Sequence, residues 1–314
     1  MKKITLIFIM GLLALVMAAC GDNASGEGNS DKEASSEKIT ISHEHGDTEV
    51  AKNPEKVVVF DYGILDTLDK LDIDVAGVAK GSIPSYLEKY NSDEYENIGS
   101  LKEPDFEKIS QIDPDVILIS GRQAAVYDQL EEIAPTIYLG VDTTNYMESF
   151  KENMNKVGEL FDKQDEIEKE LAAVDESIAG IKEKATAAEE KALIILANDD
   201  KISAYGQNSR FGIIHDVFGV PAVDESIEAS THGQNVSFEY VVEQNPDLLY
   251  VVDRGAAIGG ESSAKQVVEN DLVKGTKVYE NDNIVYLDPD FWYLSGGGLV
   301  SVSEMVKQIE SSLE

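Results

Sequence analysis

Cysteine and positive charge are both scarce in this chain. Its 314 residues include one cysteine, and 26 lysine and arginine residues stand against 60 aspartate and glutamate residues, for a net charge of −34. A single cysteine excludes a disulfide framework within the chain and any CxxC metal or redox site. Because so acidic a surface repels phosphate backbones and anionic membrane surfaces, nucleic acid is not an expected partner.

Catalytic motifs are also missing. We find no phosphate-binding GxxxxGK loop, no GxGxxG turn that opens a helix after a strand, no GxSxG nucleophile elbow and no HExxH zinc motif. The three glycines at 296–298 lack a nearby lysine and precede an amphipathic pattern over 300–309, which predicts a helix-entry loop. The sequence therefore indicates a protein that catalyses no reaction and needs no enzyme cofactor.

Histidine is almost as rare, with four residues in the chain. His43 and His45 flank Glu44, so on a strand their imidazoles would share one face, as a zinc or manganese site requires. With no clear third ligand near them in the sequence, ordinary surface histidines are the favoured interpretation. Direct metal binding stays open as an alternative.

The first twenty residues have the pattern of an export signal. Lys2 and Lys3 precede an apolar run over 4–16, and small residues end at Cys20. The run is too short to span a bilayer as a helix, although a transmembrane anchor is the alternative interpretation. The segment resembles the lipobox of bacterial lipoproteins, which implies a signal peptide over 1–19 and an acyl or diacylglyceryl lipid on Cys20. Residues 20–38 contain no large apolar residue and predict a flexible tether.

Short apolar runs alternate with helical patterns in the rest of the chain. Most runs are β-branched or aliphatic without clean alternation, which is typical of strands covered on both faces in a mainly parallel sheet. We therefore predict an α/β fold. The predicted strands lie at 57–60, 75–78, 116–120, 137–139, 193–197, 248–252 and 284–287.

One proline-free stretch, 147–191, has apolar residues spaced by three and four and predicts amphipathic helices. A single helix of this length would extend about 60 Å, so we place a break near 162–163. Its second half becomes a linking helix over 164–188, between an N-terminal lobe over 39–163 and a C-terminal lobe over 189–314. A coiled-coil dimer is the alternative, but too few heptads are sustained to favour it.

An internal repeat supports two similar lobes. The segment that starts at Phe106 and runs through Pro114 to Arg122 recurs 132 residues later, from Phe238 through Pro246 to Arg254. Each copy predicts a helix, a Pro-Asp turn, a buried strand and an arginine at the carboxyl end of that strand. Two similar turns could also recur by chance in an α/β protein, but the register holds along the whole segment.

Arginine occurs only three times, at Arg122, Arg210 and Arg254, beside 23 lysines. In open α/β sheets, ligands bind beyond the carboxyl ends of strands, so the two repeat arginines are expected to face one another across a cleft. Arg210 follows a turn over 205–209. A planar, permanently charged fork suits oxygen-rich anions better than lysine does. The alternative is that each arginine pairs with one of the 60 acidic residues.

Three motifs together resemble the iron-siderophore and cobalamin class of substrate-binding proteins, which serve ATP-driven importers. They are residues 53–61 (NPEKVVVFD), the two Glu-x6-Pro-Asp units and residues 292–298 (WYLSGGG). The resemblance covers 39–314 and implies two Rossmann-like lobes joined by one long helix, with a ligand in a shallow cleft. Within this class the chain is most similar to lipoproteins of Gram-positive bacteria that bind ferric petrobactin, a mixed catecholate and citrate chelate.

The resemblance also implies roles for individual residues. Glu107 and Glu239 match glutamates, one in each lobe, that dock onto arginines of the permease dimer, although both also suit a helix N-terminus electrostatically. The three arginines would supply positive charge to an anionic ferric chelate, and Lys102 would add a fourth cation. Aromatic side chains would pack on catechol rings, namely those of Tyr62, Trp292 and Tyr293.

These inferences lead to one functional hypothesis. The chain is expected to be a monomeric, lipid-anchored receptor on the extracytoplasmic face of the cell membrane, which binds a ferric siderophore and delivers it to an importer. The alternatives are a zinc-, manganese- or heme-binding lipoprotein and, least favoured, a cell-surface hydrolase.

Overall fold

The structure, a computed structural model, describes residues 37–260 and 263–313. The predicted signal peptide, the lipid site at Cys20 and the predicted tether before residue 37 lie outside the described residues. The strands within these ranges are β1 (Lys38–His43), β2 (Gly46–Ala51), β3 (Val57–Val59), β4 (Gly77–Val78), β5 (Glu96–Asn97), β6 (Val116–Ile119), β7 (Thr136–Tyr138), β8 (Ala192–Asn198), β9 (Lys201–Tyr205), β10 (Gln234–Val236), β11 (Leu248–Asp253) and β12 (Ile284–Leu287).

The helices of the same ranges alternate with these strands. They are α1 (Tyr62–Lys70), α2 (Phe106–Ile112), α3 (Tyr127–Glu131), α4 (Tyr146–Phe161), α5 (Gln164–Ala188), α6 (Ile213–Asp216), α7 (Phe238–Gln244), α8 (Arg254–Ile258), α9 (Ala264–Val268), α10 (Lys277–Glu280) and α11 (Leu299–Ser312). Short 3₁₀ turns cover Ser85–Asn91, Ala124–Val126, Thr143–Asn145 and Val273–Gly275, and a π-helical turn covers Asp290–Ser295. None of the described helices combines the length and apolar character needed to cross a bilayer.

The N-terminal lobe contains a five-stranded parallel sheet in the order β5-β4-β3-β6-β7. Its central strands, β3 and β6, are buried along their whole length, as their uninterrupted aliphatic sequences predict. The hairpin β1-β2 packs beside β7 and was not predicted. The sequence signal for it exists, because Ile39 and Ile41 alternate with polar residues in β1.

The C-terminal lobe contains a second five-stranded sheet in the order β10-β9-β8-β11-β12. Strands β8, β11 and β12 are parallel, whereas β9 pairs with β8 and β10 pairs with β9 in antiparallel orientation. Together the two sheets confirm the predicted α/β fold with two lobes and mainly parallel sheets.

The repeat predicted from the sequence is present in both lobes. Helices α2 and α7 have equal lengths at an offset of 132 residues, and each ends at a residue with left-handed backbone conformation, Asp113 or Asn245. The next strand, β6 or β11, is buried. After each proline, an aspartate carboxylate accepts the backbone N–H that precedes the neighbouring strand: Asp115 from Lys56 at 2.8 Å and Asp247 from Lys191 at 2.9 Å.

Helices α4 and α5 meet at the predicted break. Asp162 ends α4 in the left-handed region with φ 52°, and α5 then runs for 25 residues, about 38 Å at 1.5 Å per residue. The apolar face of α5 packs against α4 and α11. This face is therefore buried within the chain. A coiled-coil dimer would need the same face for its partner helix, so that alternative is not supported.

The last helix, α11, is bonded to α1 of the N-terminal lobe. The carboxylate of Asp66 accepts the N–H groups of Val300 and Ser301 at 3.2 and 3.0 Å, and the hydroxyl of Thr67 accepts that of Leu299 at 3.0 Å. These acceptors satisfy N–H groups that a helix leaves unpaired at its first turn. Helix α11 thus joins the two lobes a second time, in addition to α5, and the predicted helix-entry role of 296–298 is confirmed.

Candidate functional site

The three arginines reach one region from different elements. Arg122 follows β6 after two residues, and Arg254 follows β11 directly as the first residue of α8. These positions place both at the carboxyl ends of central strands, as predicted. Arg210 arrives by a loop after β9, a strand that runs antiparallel to β8 and that is not among the predicted strands.

Tyr293 contacts all three arginines. Its carbonyl oxygen accepts from Nη2 of Arg122 at 2.8 Å and from Nη2 of Arg210 at 2.7 Å. Its phenol oxygen accepts from Nε of Arg254 at 2.9 Å. The guanidinium carbon of Arg210 lies 4.3 Å from the centroid of the tyrosine ring, a cation–π distance. Tyr293 is therefore the point at which the three cations converge.

The π-helical turn that carries Tyr293 is held by the N-terminal lobe. Asp290, its first residue, accepts the N–H of Ser85 at 2.8 Å, and Ser295, its last, shares a hydrogen bond of 2.7 Å with the hydroxyl of Tyr86. Arg122 also donates to the carbonyl of Leu294 at 3.3 Å. The turn belongs by sequence to the C-terminal part of the chain, so these bonds place it between the lobes.

The hydrogen-bond partners of the arginines are neutral. Within 37–260 and 263–313, no ion pair involves an arginine. Asp61 lies near Arg122, but it is buried and its carboxylate caps α1 by accepting from Ile64 at 2.9 Å. Burial, followed by the positive charge of Arg122, lowers the pKa of Arg210. Among the described residues, the site is thus a cluster of like charges in which no arginine forms an ion pair, although the charge of Arg122 acts on Asp61.

The electrostatic field of this cluster also acts on Tyr293. Burial opposes ionisation of the phenol, but the hydrogen bond from Arg254 and the charges of Arg210 and Arg254 outweigh it and lower the pKa of Tyr293. A guanidinium carries five N–H groups, and the assigned bonds use at most two of them on each arginine. The remaining donors can bind the oxygens of an anionic ligand.

Two aromatic residues that the resemblance assigned to the site lie in the core instead. Tyr62 is 1% exposed, its hydroxyl donates to the carbonyl of Ala79 at 2.8 Å, and burial raises its pKa to about 12. Trp292 is 3% exposed and its indole N–H donates to Gln308 at 3.2 Å. Since neither ring reaches the surface, we correct the expectation that they pack directly on a ligand.

Lys102 is exposed on the N-terminal lobe. No ion pair or side-chain hydrogen bond joins its ammonium group to another residue of the described ranges. Its contribution as a fourth cation therefore stays a prediction.

One residue that contacts an arginine was missed. Asn198, the last residue of β8, accepts a hydrogen bond from Nη1 of Arg254 through its side-chain oxygen. Strands β8 and β11 are neighbours, and Ala197 pairs with Asp253, so the residue after each lies beside the other. The polar side chain at the end of a buried run was visible in the sequence, but its neighbour follows only from the strand register.

The two histidines considered as metal ligands have other partners. Nε2 of His43 lies 2.9 Å from the hydroxyl of Thr48, and its Nδ1 accepts the N–H of His45 at 3.3 Å. The ring of His45 stacks on Tyr127 with centroids 4.5 Å apart. Across the described ranges, no group of three or more histidine, cysteine, aspartate or glutamate residues is arranged to hold a metal ion. The metal-binding alternative therefore gains no support from this region.

Glu107 and Glu239 occupy equivalent places, as the second residues of α2 and α7, and both are exposed. Neither is the N-cap residue: Asp105 caps α2, and Ser237 precedes α7. A hydrogen bond with Ser237, followed by one from the backbone, lowers the pKa of Glu239. Each lobe thus presents one exposed carboxylate at the start of an equivalent helix.

Comparisons with known proteins agree with this architecture. The petrobactin-binding protein YclQ of Bacillus subtilis is 52% identical over 318 aligned positions that cover 100% of both chains. The ferric-anguibactin-binding protein FatB of Vibrio anguillarum is 32% identical over 277 positions, or 86% of each chain.

Solved structures show the same likeness in three dimensions. The crystal structure of YclQ superposes with a TM-score of 0.87 at 55% identity, over 88% of this chain and 99% of that chain. The periplasmic catecholate-siderophore binding protein VctP of Vibrio cholerae gives a TM-score of 0.84 at 36% identity, over 88% of this chain and 100% of that chain. The family model described as periplasmic binding protein matches residues 57–291, which contain both sheets and all three arginines. This chain belongs to the periplasmic binding protein family.

Proposed function

We propose that this protein is an extracytoplasmic receptor that binds an anionic ferric siderophore and delivers it to an ATP-driven importer. The ligand is a catecholate or catecholate-citrate chelate similar to ferric petrobactin. The convergence of Arg122, Arg210 and Arg254 on Tyr293, with neutral partners only, is the observation that carries this assignment.

The chemistry of the site matches this class of ligand. Ferric catecholates carry negative charge on oxygen atoms at their edges, and planar guanidinium forks bind such oxygens with two parallel hydrogen bonds. The relatives reported above are named for binding petrobactin, ferric anguibactin and catecholate siderophores. A receptor needs donors that are charged before the ligand arrives, and these three arginines fulfil that requirement.

A ligand panel tests the proposal. The single tryptophan, Trp292, precedes Tyr293 in the turn that contacts the arginines, so its fluorescence should report a change there. We expect quenching by ferric petrobactin and a ferric triscatecholate, and no response to a ferric hydroxamate or cobalamin. A response to free zinc or manganese that is lost in His43→Ala and His45→Ala would favour direct metal binding instead.

Substitution of the arginines localises the ligand. Each of Arg122→Ala, Arg210→Ala and Arg254→Ala should weaken ferric petrobactin binding by about 1–3 kcal/mol, because a charge-assisted hydrogen bond is lost. Arginine-to-lysine variants keep the charge but lose the fork and should fall in between. Wild-type affinity in all three alanine variants would contradict the site.

Delivery to the importer is assigned to Glu107 and Glu239 as docking residues. Their exposure at equivalent places in the two lobes supports this role. The double variant Glu107→Gln, Glu239→Gln should bind the chelate normally and fail to support iron uptake by cells. Glu243→Gln, an exposed change one turn further along α7, is the matched control. Normal uptake with the double variant would refute the docking assignment.

Membrane attachment is proposed to depend on a lipid at Cys20. One acyl chain binds membranes only marginally, so lasting attachment requires a second chain or another signal. Cys20→Ala should release the protein from the cell surface into the medium, and metabolic labelling with a fatty acid should mark the wild type alone. Equal retention of both proteins would contradict the anchor.

A further inference from the structure

Arg254 is held differently from the other two arginines. Arg122 and Arg210 donate to main-chain carbonyls, which no side-chain substitution removes. Arg254 instead donates from Nε to the phenol of Tyr293 and from Nη1 to the amide oxygen of Asn198. Its orientation therefore depends on two side chains, those of Tyr293 and Asn198.

Asn198 is fixed by the sheet. It ends β8, a strand paired on one side with β9 and on the other with β11, and its own partner across the turn to β9 is Lys201. Because arginine donates hydrogen bonds and never accepts them, the amide must present its oxygen to the guanidinium. Two acceptors at Nε and Nη1 define the guanidinium plane and leave both N–H groups of Nη2 and one of Nη1 without an assigned partner.

Acidic residues surround this position but do not contact Arg254. Asp199 and Asp200 follow directly and are exposed. The carboxylate of Asp253 accepts from the N–H groups of Ala256 and Ala264 at 2.9 and 2.7 Å, so it is bonded to helix N-termini. The side chain that does contact the guanidinium is an amide, which orients the cation without neutralising it.

We propose that Asn198 is a positioning residue that orients Arg254 and, by being uncharged, keeps the site selective for anionic chelates. This inference rests on the proposed function, because it assumes that Arg254 binds the ligand. An aspartate at this position would have nearly the same shape but would form a salt bridge with Arg254. The ligand would then compete with an internal carboxylate for the same donor.

Isosteric substitution separates orientation from charge. In titrations with ferric petrobactin, Asn198→Asp should bind at least tenfold more weakly than wild type. Asn198→Ala should lose less affinity, because Arg254 keeps its charge and its bond to Tyr293. The dependence of log Kd on salt concentration should also be shallower for Asn198→Asp, since one cation is already paired. A merely structural role would not change this dependence.

Asn281→Asp is the matched control for charge. It adds the same charge at an exposed position that precedes β12, at the amino-terminal end of the parallel strands, whereas Arg254 lies at their carboxyl end. This variant should bind within twofold of wild type. An equal loss in Asn198→Asp and Asn281→Asp would overturn the proposal, because the effect would then come from net charge alone.

A measurement without ligand tests the contact between Asn198 and Arg254 independently of the proposed function. The chain has three arginines, so an NMR spectrum of ¹⁵N-labelled protein contains three arginine Nε–H signals. The signal that is absent in Arg254→Ala should shift in both Asn198→Asp and Asn198→Ala. Unchanged signals would overturn the proposal whatever the ligand does, and Asn198→Ala decides the question if Asn198→Asp does not fold.

The titrations separate the remaining outcomes. If Arg254→Ala binds ferric petrobactin as tightly as wild type, the assignment of Arg254 to the binding site is wrong. If Arg254→Ala binds weakly but Asn198→Asp and Asn198→Ala bind normally, the site stands and the role of Asn198 is refuted.

Discussion

The contact between α1 and α11 predicts a severe effect of one added methyl group at Gly298. A Cβ atom there would lie 1.9 Å from the carbonyl oxygen of Gly63 and 2.1 Å from an oxygen of Asp66. The φ of Gly298 is −105°, which any residue adopts, so the requirement for glycine comes from space alone. The obstructing atoms are a helix backbone and a buried carboxylate, and neither can rotate away.

The magnitude follows from what must separate. Moving α11 away from α1 breaks the hydrogen bonds that Asp66 and Thr67 accept from three N–H groups at the start of α11. At a net value of about 1 kcal/mol each, and with about 1 kcal/mol or more for the overpacked contact, Gly298→Ala should destabilise the protein by about 4 kcal/mol. This is a large share of the ~5–15 kcal/mol that stabilises a typical domain.

Urea unfolding measures this effect, and Gly180→Ala is its control. Gly180 lies within α5, and a Cβ there would have no atom within 4 Å. Because alanine favours the helix over glycine, Gly180→Ala should stabilise the protein by about 0.5–1 kcal/mol. If Gly298→Ala unfolds at the same urea concentration as wild type, the close packing of α1 against α11 is wrong.

Further predictions concern other buried contacts. Burial raises the pKa of Asp66 to about 7, so the folded protein holds this proton more tightly than the unfolded chain does. The protonated Asp66 contributes its full stabilisation below pH 4, where the unfolded aspartate is also protonated. This contribution to the free energy of unfolding falls as the pH rises to 7. In urea unfolding at several pH values, the stability of wild type relative to Asp66→Asn should therefore decrease by up to about 1.4 kcal/mol per pH unit in this window; a constant difference would refute it. Asp105→Ala removes the cap of α2 and should lower the free energy of unfolding by about 1 kcal/mol. Ser237→Ala should lower it less, because Ser237 makes no side-chain cap bond to α7, and equal losses in the two variants would contradict this expectation. Asn153→Ala should cost about 2 kcal/mol in the same assay, because the buried amide donates to two carbonyls after β7, and a loss below 0.5 kcal/mol would contradict it.

Much of the fold could be predicted because the repeat and the buried strands carry strong sequence signals. The strand at 284–287 was predicted with the bounds that the structure has, and α2 and α7 lie where the repeat places them. Strands β5 and β10 were missed because they are two or three residues long and largely polar. At a sheet edge, backbone pairing with one neighbour is enough to hold such a strand. The pattern of hydrophobic residues in the sequence therefore does not predict it.

The positive charge of the candidate site could be predicted from the sequence, but the contacts within it could not. Rarity and the repeat indicated Arg122, Arg210 and Arg254, because these are properties of the sequence itself. Burial decides the role of an aromatic residue, and no local pattern distinguishes the core ring of Tyr62 from the contact ring of Tyr293. Partners in distant segments, including the contacts of Tyr293 with all three arginines, appear only when the lobes and the π-helical turn are assembled.

The charge of the whole chain explains why the partners of the arginines matter. With a net charge of −34, the protein repels an anionic chelate. Salt screens this repulsion beyond the Debye length, which is about 8 Å at physiological ionic strength. Attraction must therefore come from within the site, where the three guanidinium groups are close enough for the charge of Arg122 to lower the pKa of Arg210. Each carboxylate bonded to one of them would remove a third of that local charge. Carbonyls, a phenol and an amide satisfy the same donors without this loss, so neutral partners would allow so acidic a protein to bind an anion at the proposed site.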